Sequence, residues 1–144
     1  MKTKLTRTGA ALARSRSLGS LERIMKLLLD PGGCPWDRRQ THATLLKYLK
    51  EESGEVARAV RRKDWHNLKE ELGDVLLQVV FHAELARRAG RFSLAEVIKT
   101  VNSKMVRRHP HVFAAGKKLD TPAQVLRQWK IIKKAEKAAR KAEK

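Results

Sequence analysis

Cysteine is almost absent from this chain. Cys34 is the only one among 144 residues, so no internal disulfide can staple the fold, and the core must come from apolar packing. That usage fits a reducing compartment, and a cytoplasmic protein is the expectation. No apolar run approaches the ~18 residues of a spanning helix, so no membrane partner is expected. No strand-like alternation and no internal repeat appears, and no glycine-rich phosphate loop is present, since Gly32-Gly33 is too short to be one. The five histidines (His42, His66, His82, His109, His111) never fall at H-x-x-x-H spacing, which argues against a zinc site. Cys34 near His42 has no third group to orient it, so it is read as packing rather than as a nucleophile.

Acidic residues are also scarce. Fifteen Asp and Glu face 33 Lys and Arg, a formal net charge of +18. The excess is uneven: residues 1–20 hold five basic and no acidic side chains, and residues 117–144 hold ten basic and three acidic. Such a balance implies a polyanionic partner, whether a nucleotide or, by weak and nonspecific contact with the basic tails, a nucleic acid. Residues 1–19 show no core pattern and read as a flexible basic arm. Their Arg- and Ser-rich, acid-free composition is shared by mitochondrial presequences, but a convincing apolar face is lacking. Residues 20–137 read as one domain and 138–144 as a basic tail.

What is present is helical. Ser20 is the expected cap of a short helix over 21–29, ended by Asp30-Pro31-Gly32-Gly33. A second helix runs from Thr41 or Thr44 to Arg62, with Leu45, Leu49, Val56 and Val60 on one stripe and one interior glycine, Gly54. Asp64 caps a third, roughly 65–89, with a stripe of Leu68, Leu72, Val75, Val79 and Ala86. Apolar over most of its circumference between Val75 and Phe81, this helix is expected to be central and to show more apolar surface than four short neighbours can cover. Ser93 and Glu96 make a capping box for a fourth helix, about 94–108, which His109-Pro110-His111 stops. Thr121-Pro122 opens the last.

The stretch from Leu49 to Phe81 organises the rest. Glu52 with Glu55, and Glu71 with Asp74, are i,i+3 pairs that share a helix face. At about 100° per residue Glu52 falls in the middle of an apolar stripe, whereas Glu51 and Glu70 point elsewhere. Carboxylates aimed at a core are costly unless a cation meets them. Antiparallel packing of the two helices brings four carboxylates to one level, as in metal sites of helix bundles. Hard oxygen ligands without His or Cys favour Mg²⁺, with Mn²⁺ as the alternative.

These residues carry a family resemblance. Glu51-Glu52-Ser53-Gly54-Glu55 with Glu71-Leu72-Gly73-Asp74 resembles the EExxE…ExxD signature of MazG-type nucleoside triphosphate pyrophosphohydrolases. Gly33-Cys34-Pro35-Trp36-Asp37 with Gln40-Thr41-His42, Arg107-Arg108-His109-Pro110-His111-Val112-Phe113, and Trp129, Ile132, Lys133, Glu136 and Lys137 resemble further motifs of that family, in the same order. The resemblance implies an all-α bundle of four to five helices, working as an obligate homodimer or dimer of dimers. It implies Mg²⁺-dependent attack at the α-phosphorus of NTPs or dNTPs, releasing a monophosphate and pyrophosphate, in nucleotide-pool housecleaning or a stress response. Glu52, Glu55, Glu71 and Asp74 would be the catalytic metal ligands. Asn102, Lys104, Trp129 and Lys133 would lie near the nucleotide. Trp36 either stacks on a base or, the favoured reading, wedges under the bundle. Thr100 stands where some relatives carry a lysine. The alternatives are a narrow-specificity relative acting on dUTP or phosphoribosyl-ATP, and a non-enzymatic nucleic-acid-binding module.

Overall fold

The computed structural model describes residues 5–116 and 118–143. Residues 1–4 of the expected arm and residue 144 of the expected tail lie outside them. All regular structure among the described residues is helical: α1 (Arg7–Arg14), α2 (Leu18–Leu29), a short 3₁₀ turn at Asp37–Arg39, α3 (His42–Arg62), α4 (Trp65–Arg88), α5 (Leu94–Arg108), α6 (Pro110–Phe113) and α7 (Pro122–Ala142). The chain divides into two compact units, residues 1–97 and 98–144.

Two helices exceed the five that periodicity implies. Within the region read as a flexible arm, Thr6 caps α1 by accepting from the Gly9 amide. No residue of α1 is buried, which is why no core pattern marks it. The next helix begins at Leu18 rather than Leu21, because Ser17 and not Ser20 accepts the capping bond. His109-Pro110 ends α5 and, with Pro110 in its first turn, starts the single turn of α6. The last helix runs unbroken to Ala142, so Lys137 marks no structural boundary.

The first unit is built on α3 and α4. His42 meets His82 and Glu52 meets Glu71 and Asp74, so one number rises as the other falls and the helices are antiparallel. The link is short: Lys63 adopts a left-handed conformation, its N–H and that of Asp64 return to the last carbonyls of α3, and the Asp64 side chain caps α4. The buried line of α3 passes through Leu45 and Ala59, while Val60, read from periodicity as part of the stripe, is half exposed. The stripe on α4 is also displaced. Val80, Phe81, Ala83 and Ala86 are buried, whereas Leu72 and Val79 are exposed at 51% and 39%. Burial thus encircles α4 nearer its C-terminal end than periodicity implies.

An ion cluster ties α2 to α4. Glu84, 3% exposed, accepts from Arg87 and Arg88 at 2.7–2.9 Å. Arg88 also reaches Asp30 at 2.6 Å and, where α2 ends, the Lys26 and Leu29 carbonyls at 3.2 and 3.3 Å; the former also accepts from the Asp30 N–H that caps the helix. Hydrogen bonds from Arg87, then Arg88, hold the Glu84 carboxyl below its usual range against the opposing effect of burial.

Two glycines predict opposite outcomes. A side chain at Gly33 would overlap the Leu27 and Leu28 carbonyl oxygens, and Cys34 N–H already bonds the latter at 2.8 Å. Gly33→Ala is therefore expected to destabilise by about 1–3 kcal/mol. Nothing within 4 Å would meet a Cβ at Gly54, so Gly54→Ala is expected to stabilise by about 1 kcal/mol, the helix-propensity difference. Urea midpoints of the two variants check both signs.

Candidate active site

Three of the four carboxylates singled out in the sequence converge. Glu52 of α3 and Glu71 and Asp74 of α4 each offer an oxygen, and the three oxygens lie within 4.8 Å of one another. Glu52 occupies the centre of α3's inward line, seven residues from Leu45 on one side and from Ala59 on the other, both 1% exposed. That heptad spacing is what aims it at α4. Glu71 and Asp74 share a face through their i,i+3 spacing. Partial burial, then the charges of Asp74 and Glu71 and a hydrogen bond with Glu71, push the Glu52 carboxyl up. A bound cation would offset the like-charge part of that shift.

Glu55 does not join them. Its side chain pairs with Arg58, one turn along α3. Glu51 and Glu70 are exposed, and Glu70 faces His66 at 3.4 Å, away from the cluster as its helical phase implies. Trp36 packs edge-on against Tyr48, with ring centroids 5.6 Å apart, but is 50% exposed and is no buried wedge. No His or Cys joins a cluster of three potential metal ligands among the described residues.

Sequence reading missed a histidine pair on the same two helices. His42 and His82 stack with ring centroids 5.0 Å apart and their Nδ1 atoms 2.7 Å apart, so one Nδ1–H donates to the other ring. Burial, then His42, lowers the His82 pKa. The signal was available: the total of 42 and 82 falls between those of Glu52 with Glu71 and of Glu52 with Asp74, so the register set by the carboxylates places the two histidines opposite each other.

The remaining candidates lie in the second unit. Asn102 is exposed and Lys104 half-buried. The Trp129 indole N–H donates to the Arg108 carbonyl at 2.8 Å, and its ring meets His109 edge-on at 5.2 Å. Lys133 Nζ stands 5.8 Å from the Trp129 ring centroid. Arg107 and Arg108 both grip Glu136, at 2.8 and 2.9 Å. Their hydrogen bonds, Arg108 first, lower the Glu136 pKa to about 2. A carboxylate depressed in the folded state adds stability above its ordinary pKa of about 4.5 and loses it as pH falls toward 2. The Tm difference between wild type and Arg108→Gln is therefore expected to be constant above about pH 5 and to shrink between about pH 4.5 and 2. Thermal unfolding followed across that range checks it.

Residues 40–113 match the MazG nucleotide pyrophosphohydrolase domain. The chain belongs to the MazG family. A nucleoside triphosphate pyrophosphohydrolase/pyrophosphatase MazG of Thermotoga maritima is 50% identical over 119 residues, which are 83% of this chain and 45% of that relative. A nucleoside triphosphate pyrophosphohydrolase of Escherichia coli K12 is 46% identical over 116 residues, 80% of this chain and 44% of that relative. The chain thus spans less than half the length of these two curated relatives. A crystal structure of a MazG-related protein from Thermotoga maritima superposes with a TM-score of 0.68 at 33% identity, covering 81% of this chain and 99% of that one.

Proposed function

We propose that this MazG-family chain is a divalent-metal-dependent nucleoside triphosphate pyrophosphohydrolase, cleaving NTPs or dNTPs to a monophosphate and pyrophosphate. The convergence of Glu52, Glu71 and Asp74 within 4.8 Å carries the proposal. Three hard oxygen donors and no His or Cys suit Mg²⁺ or Mn²⁺. Such an ion supplies Lewis-acid neutralisation of phosphoryl charge. The protein's own part is to hold the three carboxylates in register from two antiparallel helices. Glu55 serves as a fourth ligand only by leaving Arg58. The half-open face of Trp36 offers a surface for a base. Lys104 and Lys133 supply cations for phosphate oxygens, and Asn102 supplies a neutral polar contact. Trp129, whose N–H already serves Arg108, acts through its ring, positioning Lys133.

The active form in this proposal is a homodimer, or a dimer of such dimers. Leu72, Leu76 and Val79 make an exposed i,i+4,i+7 stripe on α4, 39–51% exposed, which calls for cover. Beside it lies an apolar cavity of about 240 Å³ lined by Leu49, Val79, Phe92 and Val97 among others, able to take a side chain of the second copy. A cytoplasmic role in clearing nucleotides from the pool fits this chemistry.

A panel of NTPs and dNTPs, assayed with Mg²⁺ and with EDTA and read separately for pyrophosphate and orthophosphate, tests the proposal. Pyrophosphate that requires the metal is the expected product. Orthophosphate with a nucleoside diphosphate would place attack at the terminal phosphorus and refute it.

A further inference from the structure

The last helix carries a charge pattern that hydrolysis of a free nucleotide does not require. Arg127, Lys130, Lys134, Lys137 and Lys141 recur along α7 at steps of three and four residues, and all five are exposed. At about 100° per residue they fall within roughly 80° of one another, and Lys133 lies on their flank. The acidic residues of α7 are segregated from them. Glu136 and Glu143 lie about 140–160° from the stripe's centre, and Glu136 is already held by Arg107 and Arg108. None of the five cations is ion-paired among the described residues.

We propose that this stripe is a binding surface for the phosphate backbone of a nucleic acid, without base readout. From Arg127 to Lys141 the stripe runs about 21 Å at 1.5 Å per residue. One strand of a duplex presents roughly six phosphates over that length. Five cations on a rigid rod thus meet a regular row of anions, and each side chain has the reach to find its own. The stripe carries no aromatic ring to stack on bases, so contacts go to phosphates and are indifferent to sequence. A lipid surface fits less well. An interfacial helix needs a continuous apolar face free for insertion, whereas Val125, Trp129 and Ile132 on α7 are half-buried, and its exposed Leu126 and Ile131 lie about 140° apart around the helix. The surface is independent of the carboxylates, and its success or failure leaves the hydrolytic proposal where it stands.

The test uses the full chain in EDTA and a labelled mixed-sequence 20-base-pair duplex, with anisotropy read across a salt series. The log affinity is expected to fall with log salt at a slope of about −4 to −5, the release set by five phosphate contacts. Lys130→Gln/Lys134→Gln/Lys141→Gln is expected to flatten that slope by about 3 and to weaken binding roughly ten-fold or more near 100 mM salt. Arg61→Gln/Arg62→Gln/Lys69→Gln removes the same charge from exposed positions of α3 and α4 and is expected to leave the slope nearly unchanged. Equal losses in the two triple variants would mean that overall charge, not the stripe, drives binding, and would overturn the proposal. So would absence of duplex binding, or binding confined to phosphatidylglycerol vesicles. Lysine acetylation of the wild-type protein, mapped by mass spectrometry with and without duplex, gives an answer that does not depend on variant folding. Protection is expected at Lys130, Lys134, Lys137 and Lys141, and protection confined to other lysines would contradict the assignment.

Discussion

Glu71→Gln and Asp74→Asn are each expected to reduce metal-dependent turnover by roughly 100-fold or more, while the protein stays folded. Loss of a carboxylate that merely supports a metal ligand already costs about 10–100-fold, and in the proposed site these two supply the oxygens themselves. Glu52→Gln belongs with them, and it is expected to raise Tm in EDTA. Burial, then the like charges of Asp74 and Glu71, push the Glu52 carboxyl up, so making residue 52 neutral removes both a desolvated charge and its repulsion with those two. Glu70→Gln is the control. Glu70 sits one residue from Glu71 but faces His66 in solvent, and its replacement is expected to leave turnover unchanged. Glu55→Gln separates two accounts of the site. A loss as large as that of Glu71→Gln means Glu55 leaves Arg58 to join the ligands. Steady-state rates at saturating Mg²⁺, with circular dichroism to confirm folding, give the comparison.

The second large effect is on stability. Arg88→Ala is expected to cost about 3 kcal/mol, the range for breaking a buried ion pair from one side. Glu84 stays buried with only Arg87 to meet it, the Lys26 and Leu29 carbonyls lose a donor, and Asp30 loses its partner. The effect belongs to the stranded charge. Replacing the set together, by Glu84→Leu with Arg88→Met, is therefore expected to recover most of the loss. Chemical denaturation of the single and double variants measures both. A single variant within about 0.5 kcal/mol of wild type, the range of an ordinary surface change, would show that the cluster contributes nothing.

The convergence of Glu52 with Glu71 and Asp74 was legible in the sequence because its logic is local. An i,i+3 acidic pair and a glutamate on an apolar stripe fix their directions once the backbone is helical, and the short link at Lys63-Asp64 leaves two helices little choice but to lie antiparallel. Helix ends were legible where a capping side chain stood alone, as at Thr121 and Ser93. At the start of α2, Ser17 and Ser20 compete for one cap three residues apart, and composition does not rank them. Glu84 was hidden for a different reason. Glutamate one turn from two arginines looks like an exposed pair, and only the end of α2, brought in from more than fifty residues away, buries it. The displaced burial on α4 has the same origin. Periodicity says that one side of a helix is apolar, not which part of its length a neighbour covers. The pairing of Glu55 with Arg58, in place of convergence with the other three, turns on side-chain torsions that helical phase does not set.

The central claim is that Glu52, Glu71 and Asp74 form one divalent-metal site, and it is tested most directly by electron paramagnetic resonance of Mn²⁺ titrated into the nucleotide-free protein. Wild type and Glu70→Gln are expected to bind the ion alike, and Glu52→Gln/Glu71→Gln to lose the tightest class of sites while its circular dichroism is unchanged. Equal Mn²⁺ binding by the folded double variant would mean that the carboxylates converge without holding a metal, and would contradict the account.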